Sequence, residues 1–340
     1  MDLADEGDGG GWVIGPDSQR RWGLFGAAGL LLRAPSPDDP ADPLVLLQHR
    51  AKWTASGDTW ALPGGAIDSG ETPAEAAARE TFEEAGIPVG AVRVRGERVT
   101  SRMSGVPRPR TRVGALRHDG SLPGGMSRSR SIEWTYTTVF ADVPEPLDTV
   151  ANHESVELRW VRQSEVEEFD LMPAFAAAWP SLRARPMSCV VDVANVLGSR
   201  SNGWWRDRAG YTFALLGDLA GAVPCALAPG AVSGGGTSAG AGSASGGDQP
   251  TSDAGGTWLA RTTVVVEGAA KKAESPASLV RVDAPGEGDD TIVDVASAEL
   301  ATAGPGNVLV VTSDRGLRDR LPAGISVLGS GGFLSRLGLK

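Results

Sequence analysis

Between residues 64 and 87 the chain reads GGAIDSGETPAEAAARETFEEAGI, with Glu80, Glu83 and Glu84 at i, i+3 and i+4 directly after Arg79. Carboxylates at those offsets are neighbours on a helix and repel one another unless a cation lies between them. Hard oxygen donors of this kind suit Mg2+ or Mn2+, which recruit substrate phosphates. A Glu-Glu pair alone would be read as a solvated acidic face. Here a glycine-rich entry, a helix cap and an arginine accompany it. A second acidic set lies further on. Asp192 ends the run SCVV, Asp289 and Asp290 open a helix-like stretch, Asp314 follows NVLVVTS and Glu267 ends TTVVVE. Singly, Asp290 reads as a helix cap and Asp314 as a turn former. Jointly, these residues also suit a divalent-metal site.

The elements that must position the first set are legible. Thr72-Pro73-Ala74-Glu75 is a capping box with proline at the first helical position, and Gly86 suits a left-handed cap. A helix over 73–85 follows. Its periodicity puts Ala78, Thr81, Phe82 and Ala85 on a packed stripe and Glu80, Glu83 and Glu84 on the opposite face. Strands are expected at 24–32, 44–48, 92–99, 113–117, 136–143 and 158–161, with short helices at 164–169 and 173–182. The first part is therefore α+β, and 35–43 and 105–110 read as its surface loops.

Past residue 186 the pattern changes. Apolar runs at 187–193, 262–266, 279–282, 308–311 and 325–328 alternate with helix-like segments at 206–219, 290–300 and 315–320. Such alternation implies a parallel α/β sheet, whose ligands gather beyond the carboxyl ends of the strands. The Gly/Ser-rich stretch 229–256 reads as a disordered insertion within that unit. The expected organisation is a flexible start at 1–19, a first domain at 20–183 and a second at 187–340.

Composition sets outer limits. A net charge of −10 over 340 residues argues against a broad electrostatic grip on nucleic acid. Two cysteines make no disulfide framework, and the three histidines have no zinc-ligand spacing. No secretory leader and no long apolar run is present, so a soluble cytoplasmic protein without a membrane partner is expected. A homodimer stays open.

The first motif resembles the box of the Nudix hydrolases, G-x5-E-x7-R-E-U-x-E-E-x-G-U, matched by Gly65, Glu71, Arg79, Glu80, Glu83, Glu84, Gly86 and Ile87. Thr81 stands where that family usually has an aliphatic residue. The likeness covers roughly residues 20–180 and takes in WALPG before the box and LRWV near the end. It implies a mixed sheet sandwiched by helices. It also implies Mg2+-dependent hydrolysis of a nucleoside diphosphate linked to another moiety, with water attacking phosphorus. By position Glu80, Glu83 and Glu84 would be metal ligands, Arg79 would orient a glutamate, and Glu71 could do either. Catalytic roles are expected for Glu83 and Arg79, and Glu154 is the candidate general base, with an exposed loop carboxylate as its alternative. Gly65, Trp134 and Asn195 are the candidates for substrate contact. Trp134 and Tyr136 suit either base stacking or core packing.

The segments VVDVANVLGS, GDDTIV and VVTSDRGLRDR resemble PIN-like nucleases of the NYN branch over about 187–338. That likeness implies Mg2+ or Mn2+ on Asp192, Asp289, Asp290 and Asp314, assistance from Asn195, and RNA as partner. The tryptophans of GWWRDR suit stacking on bases or packing on the sheet. Two readings follow: a Nudix pyrophosphohydrolase with an appended RNase or RNA-binding domain, or an RNA nuclease whose Nudix domain senses a nucleotide without hydrolysing it.

Overall fold

In a computed structural model the described residues are 7–16, 18–107, 131–200, 203–232 and 255–339. The expected strand at 113–117 and residues 233–254 of the Gly/Ser-rich stretch lie outside them. Along the first half run β1 (Trp12–Ile14), β2 (Arg20–Trp22), β3 (Ala27–Ala34), β4 (Leu44–Arg50), β5 (Trp60–Ala61), β6 (Gly64–Ala66), α1 (Pro73–Ala85), β7 (Arg93–Pro107), β8 (Ser131–Asp142), β9 (Ser155–Arg162) and α2 (Pro173–Ala178). Of the stretch at 1–19, the described residues include two attachments. β1 pairs with β2, and the Asp8 carboxylate accepts hydrogen bonds from the Ser69 backbone and hydroxyl.

β3 to β9 form one mixed seven-stranded sheet. β3 runs parallel to β8 and antiparallel to β4 and β6. The eight residues of β3 are all buried because both faces are covered. Leu30, Leu32, Leu46 and Val139 meet α1 through Ala76, Ala77 and Ala85 on one face. Leu31, Val45, Leu47 and Phe140 meet Phe175, Trp179 and Leu182 on the other. Strand alternation separates these two sets, and each is a core of its own.

α1 starts and stops where the sequence indicates. Thr72 accepts from the Glu75 backbone, Glu75 returns the bond, and Gly86 closes the helix at φ 71°. The packed stripe differs from expectation at one residue. Ala78, Thr81 and Ala85 are buried, whereas Phe82 is 54% exposed. Small side chains let the helix lie close on the sheet, and a phenylalanine there would hold it off.

The second half comprises β10 (Arg185–Asp192), α3 (Val193–Gly198), α4 (Arg208–Ala222), β11 (Cys225–Leu227), β12 (Thr257–Val266), β13 (Val280–Asp283), α5 (Gly288–Ala303), β14 (Val308–Val311), α6 (Arg315–Arg320), β15 (Ile325–Leu328) and α7 (Ser330–Leu337). β13, β12, β10, β14 and β15 are parallel, and β11 adds an antiparallel edge. The chain leaves β10 toward β12 on one side and later returns to β14 on the other. β10 and β14 therefore flank a switch point, where the carboxyl ends of strands leave a crevice. Helices cover both faces, and the thiols of Cys189 and Cys225 are buried and unbridged.

The halves meet at Asp142, the last residue of β8. Its carboxylate accepts from Arg95 at 2.7 and 3.0 Å and from the Ala226 backbone of β11 at 2.9 Å. Trp258 on β12 donates its indole N–H to the Pro40 carbonyl at 2.8 Å. Among the described residues no helix is long and apolar enough to cross a membrane.

Candidate functional site

On α1 the three glutamates are not equivalent. At about 100° per residue, Glu83 stands a quarter-turn or more from Glu84. Glu84 is 3% exposed and lies on the packed side, whereas the Glu83 side chain is 53% exposed. The expectation of one shared outward face is corrected accordingly: Glu84 points inward between α1 and β6, Glu80 lies on the flank and Glu83 faces solvent.

Glu84 is held by uncharged donors. The Gly64 N–H donates to its Oε2 at 2.8 Å, and Gln48 is a second partner. Burial pushes its carboxyl up to about 7 against these bonds. Glu80 is also raised to about 7 by burial, with the Arg79 guanidinium opposing. Its carboxylate lies where a Cβ on Gly65 would stand, 2.4 Å from the carboxyl carbon, so a larger residue there would push the carboxylate aside. Gly65 thus makes room for Glu80.

Arg79 is the organiser. It donates to Glu71 at 3.0 and 3.1 Å, to Glu80 at 3.0 Å and to the Ala66 carbonyl at 2.9 Å, and approaches Glu83 to 3.5 Å. Its guanidinium is held charged, chiefly by the hydrogen bonds to Glu71. Glu71 is held below the usual carboxylate range because the Arg79 and Asp68 bonds outweigh its desolvation. Glu154, before β9, lies near enough for its charge to raise Glu80.

Trp134 has the packing role. It is buried, and its indole N–H donates to the Gly23 carbonyl at 3.0 Å, so it presents no face to a substrate. Tyr136 is half-buried beside it, and desolvation pushes its phenol up to about 12. Sequence reasoning passed over Gln48, which donates to Ser155 at 2.8 Å and faces Glu84. Its signal was a polar residue closing the apolar run LVLLQ on the α1 side of the strand.

The second acidic set surrounds a cavity of about 500 Å³ at the switch point, lined by Asp192, Asn195, Glu267, Asp289 and Asp314 among others. Asp192 caps α3 through the Asn195 N–H at 3.0 Å and accepts from the Thr312 hydroxyl at 2.9 Å. Burial, with smaller help from the charges of Asp289 and Glu267, raises its carboxyl. Asp289 is raised first by burial and next by Asp314. Glu267 accepts from the Gly288 N–H at 2.6 Å and from Arg208 at 2.9 Å. Asn195 ties the wall together, its carbonyl oxygen accepting from the Ser313 N–H at 2.8 Å and the Ser330 hydroxyl at 2.7 Å. Asp290 is absent from the lining. It turns outward to Arg320, because consecutive residues in the first turn of α5 diverge by about 100°.

Among the described residues no three His, Cys, Asp or Glu side chains already stand closed as a metal-holding group at either place. What each site offers is a cluster of carboxylates around one buried member, Glu84 in the first and Asp192 in the second.

Residues 26–182 match the model of the NUDIX domain. The chain is 48% identical over 180 residues to a putative 8-oxo-dGTP diphosphatase 3 of Mycobacterium tuberculosis, covering 53% of this chain and 71% of the relative. The chain belongs to the Nudix family. As a Nudix enzyme it is of the pyrophosphohydrolase type. It also shares 35% identity over 181 residues with a nucleoside triphosphate pyrophosphatase/Nudix hydrolase fusion protein of Bifidobacterium longum, covering 52% of this chain and 31% of that one. Among solved structures, the Nudix hydrolase RenU from M. smegmatis matches at 46% identity and a TM-score of 0.41, over 51% of this chain and 92% of that one. The family match ends before β10, so the second half is described by its own geometry.

Proposed function

We propose that the first domain is a Mg2+-dependent hydrolase of nucleoside diphosphate derivatives, with oxidised nucleoside triphosphates such as 8-oxo-dGTP as the first substrates to test. The observation that carries this reading is the placement of two carboxylates one helical turn apart, the buried Glu84 and the largely enclosed Glu80, with burial raising both to about 7. Buried anions with raised pKa values are relieved by a hard cation, and their oxygens fit Mg2+ or Mn2+. Glu80 and Glu84 would hold the ion, with Glu83 and Glu71 at its edge. A bound divalent ion supplies charge neutralisation at a pyrophosphate and lowers the pKa of water. Arg79 keeps Glu71 and Glu80 in place, a positioning role. Glu154, whose charge is felt at Glu80, would accept the proton of the attacking water. The intact carboxylate set supports turnover over a sensing role. Mg2+-dependent release of pyrophosphate from 8-oxo-dGTP tests it. No turnover by the wild type, or undiminished turnover by Glu84→Gln, rejects the reading.

For the second domain, residues 187–340, we propose a PIN-like metal-dependent RNase. A cavity walled by carboxylates from four separate elements supports it, as does the raised pKa of Asp192 and Asp289. Asp192, Glu267, Asp289 and Asp314 would face the ion, and Asn195 fixes the loop that carries Asp314. Cleavage of a single-stranded RNA with Mn2+ or Mg2+, lost in Asp192→Asn, is the expected result. Equal cleavage by both proteins rejects the assignment.

A further inference from the structure

Trp53 projects from the loop between β4 and β5 with its side chain 63% exposed. A lone exposed aromatic needs no explanation by itself. This one is backed. The ring of His153 lies against it at 5.6 Å between centroids and 12° between planes. One face of the indole is covered by a parallel ring, and its exposure leaves the other open.

The loop that presents Trp53 is pinned. Arg50 and Asp58–Thr59 exchange backbone hydrogen bonds at 3.0 and 2.9 Å, and the Arg50 guanidinium donates to the Ala55 carbonyl at 3.1 Å. Thr54 closes a turn on Ala51 through both its N–H and its hydroxyl. The Ala51 N–H donates to the Glu154 carbonyl at 2.8 Å, which fastens the loop to the strand entry bearing His153 and Glu154. One residue before His153, the Asn152 N–H meets the Glu84 carbonyl of α1 at 3.4 Å. The indole is therefore carried by a loop fastened to the same segment, 152–154, that touches α1, on a support whose ordering cost is met before a ligand arrives.

We infer that Trp53, backed by His153, is the stacking platform for the nucleobase of the nucleotide hydrolysed at Glu80 and Glu84. This rests on the hydrolase reading of the first domain. With the pyrophosphate at the carboxylates, a nucleotide lying toward the segment 152–154 would bring its base to this loop. Aromatic faces accept any base, so Trp53 contributes affinity for the nucleoside end and leaves base choice to other groups.

The test is calorimetric titration of the full chain, with Mg2+, by dGMP and separately by inorganic pyrophosphate, which lacks a base. Trp53→Ala is expected to weaken dGMP roughly tenfold, or about 1.4 kcal/mol, while pyrophosphate binding stays within about twofold. Trp53→Phe is expected to restore most of the loss. In turnover of 8-oxo-dGTP, Trp53→Ala is expected to raise KM by a similar factor with kcat within about threefold. Unchanged dGMP affinity in Trp53→Ala overturns the inference, as does equal weakening of dGMP and pyrophosphate, which would mark a collapsed loop. Trp53-dependent dGMP binding in a wild type that hydrolyses nothing leaves the platform standing and rejects only the hydrolase reading.

Discussion

The two acidic centres hold their carboxylates by different means. On α1, Glu80, Glu83 and Glu84 come from one turn and a half of helix, and an internal cation, Arg79, bridges Glu71 and Glu80. At the switch point, Asp192 ends β10, Glu267 follows β12, Asp289 opens α5 and Asp314 precedes α6, four separate places around a parallel sheet. Their cations stand at the margin: Arg208 on Glu267 and Arg320 near Asp289. Asp192 itself is held by a backbone N–H and a hydroxyl. A helical motif brings its own counter-charge and is compact in sequence. A strand-end site depends on topology, and neutral dipoles carry more of the load.

The largest expected effect separates the sites outright. Glu84→Gln should cut nucleotide hydrolysis roughly a thousandfold and spare RNA cleavage, with Asp192→Asn doing the reverse. Assaying both activities on both variants checks this, and joint loss would mean that the centres are not independent. Next is the junction between the two regions. Asp142→Ala leaves the buried Arg95 unpaired and should lower stability by about 3 kcal/mol, read by denaturant unfolding.

Arg79→Lys keeps the charge but cannot span Glu71, Glu80 and the Ala66 carbonyl. A loss of roughly ten- to a hundredfold in Mg2+ affinity or activity is expected, without effect on the second site. A smaller effect concerns pH. The native carboxyls of Glu80 and Glu84 sit at about 7 against 4.5 for an ordinary glutamate, so the native state holds more protons between those values. Metal-free stability contributed by these groups therefore falls as pH rises from 4.5 through 7. Without metal at pH 8, Glu84→Gln should be more stable to denaturant unfolding than wild type by on the order of 1 kcal/mol, and Mg2+ should reverse the ranking. Smallest of all, Asp290→Asn breaks only an exposed pair with Arg320 and should leave RNA cleavage within about twofold.

Much of the first region was legible because its information is local. The capping box, Pro73 and Gly86 fix α1 through contacts within a few residues. The direction of each glutamate was not local. Which stripe of α1 meets the sheet depends on how closely Ala76, Ala77 and Ala85 approach Leu30 and Leu46, and that choice buried Glu84 and exposed Phe82. Gln48 joined the site only through strand β4, and Asp8 met Ser69 across a span of 61 residues.

In the second region the strand runs and their closing acids could be read, since a strand buried on both faces leaves an apolar signature. Strand order could not, and it is strand order that brings Asp192 within reach of Thr312, 120 residues away. It likewise put Asp289 on the cavity, while helix geometry turned its neighbour Asp290 away to Arg320.

By itself the sequence determined the helix, its caps, the glutamate spacing and the alternation of strands with helices, all consequences of short-range sterics and periodicity. Tertiary structure decided which carboxylates are desolvated, which cations touch them, and that the indole of Trp53 lies on His153. Burial and charge coupling depend on distances between elements far apart in the chain, and only packing sets those distances.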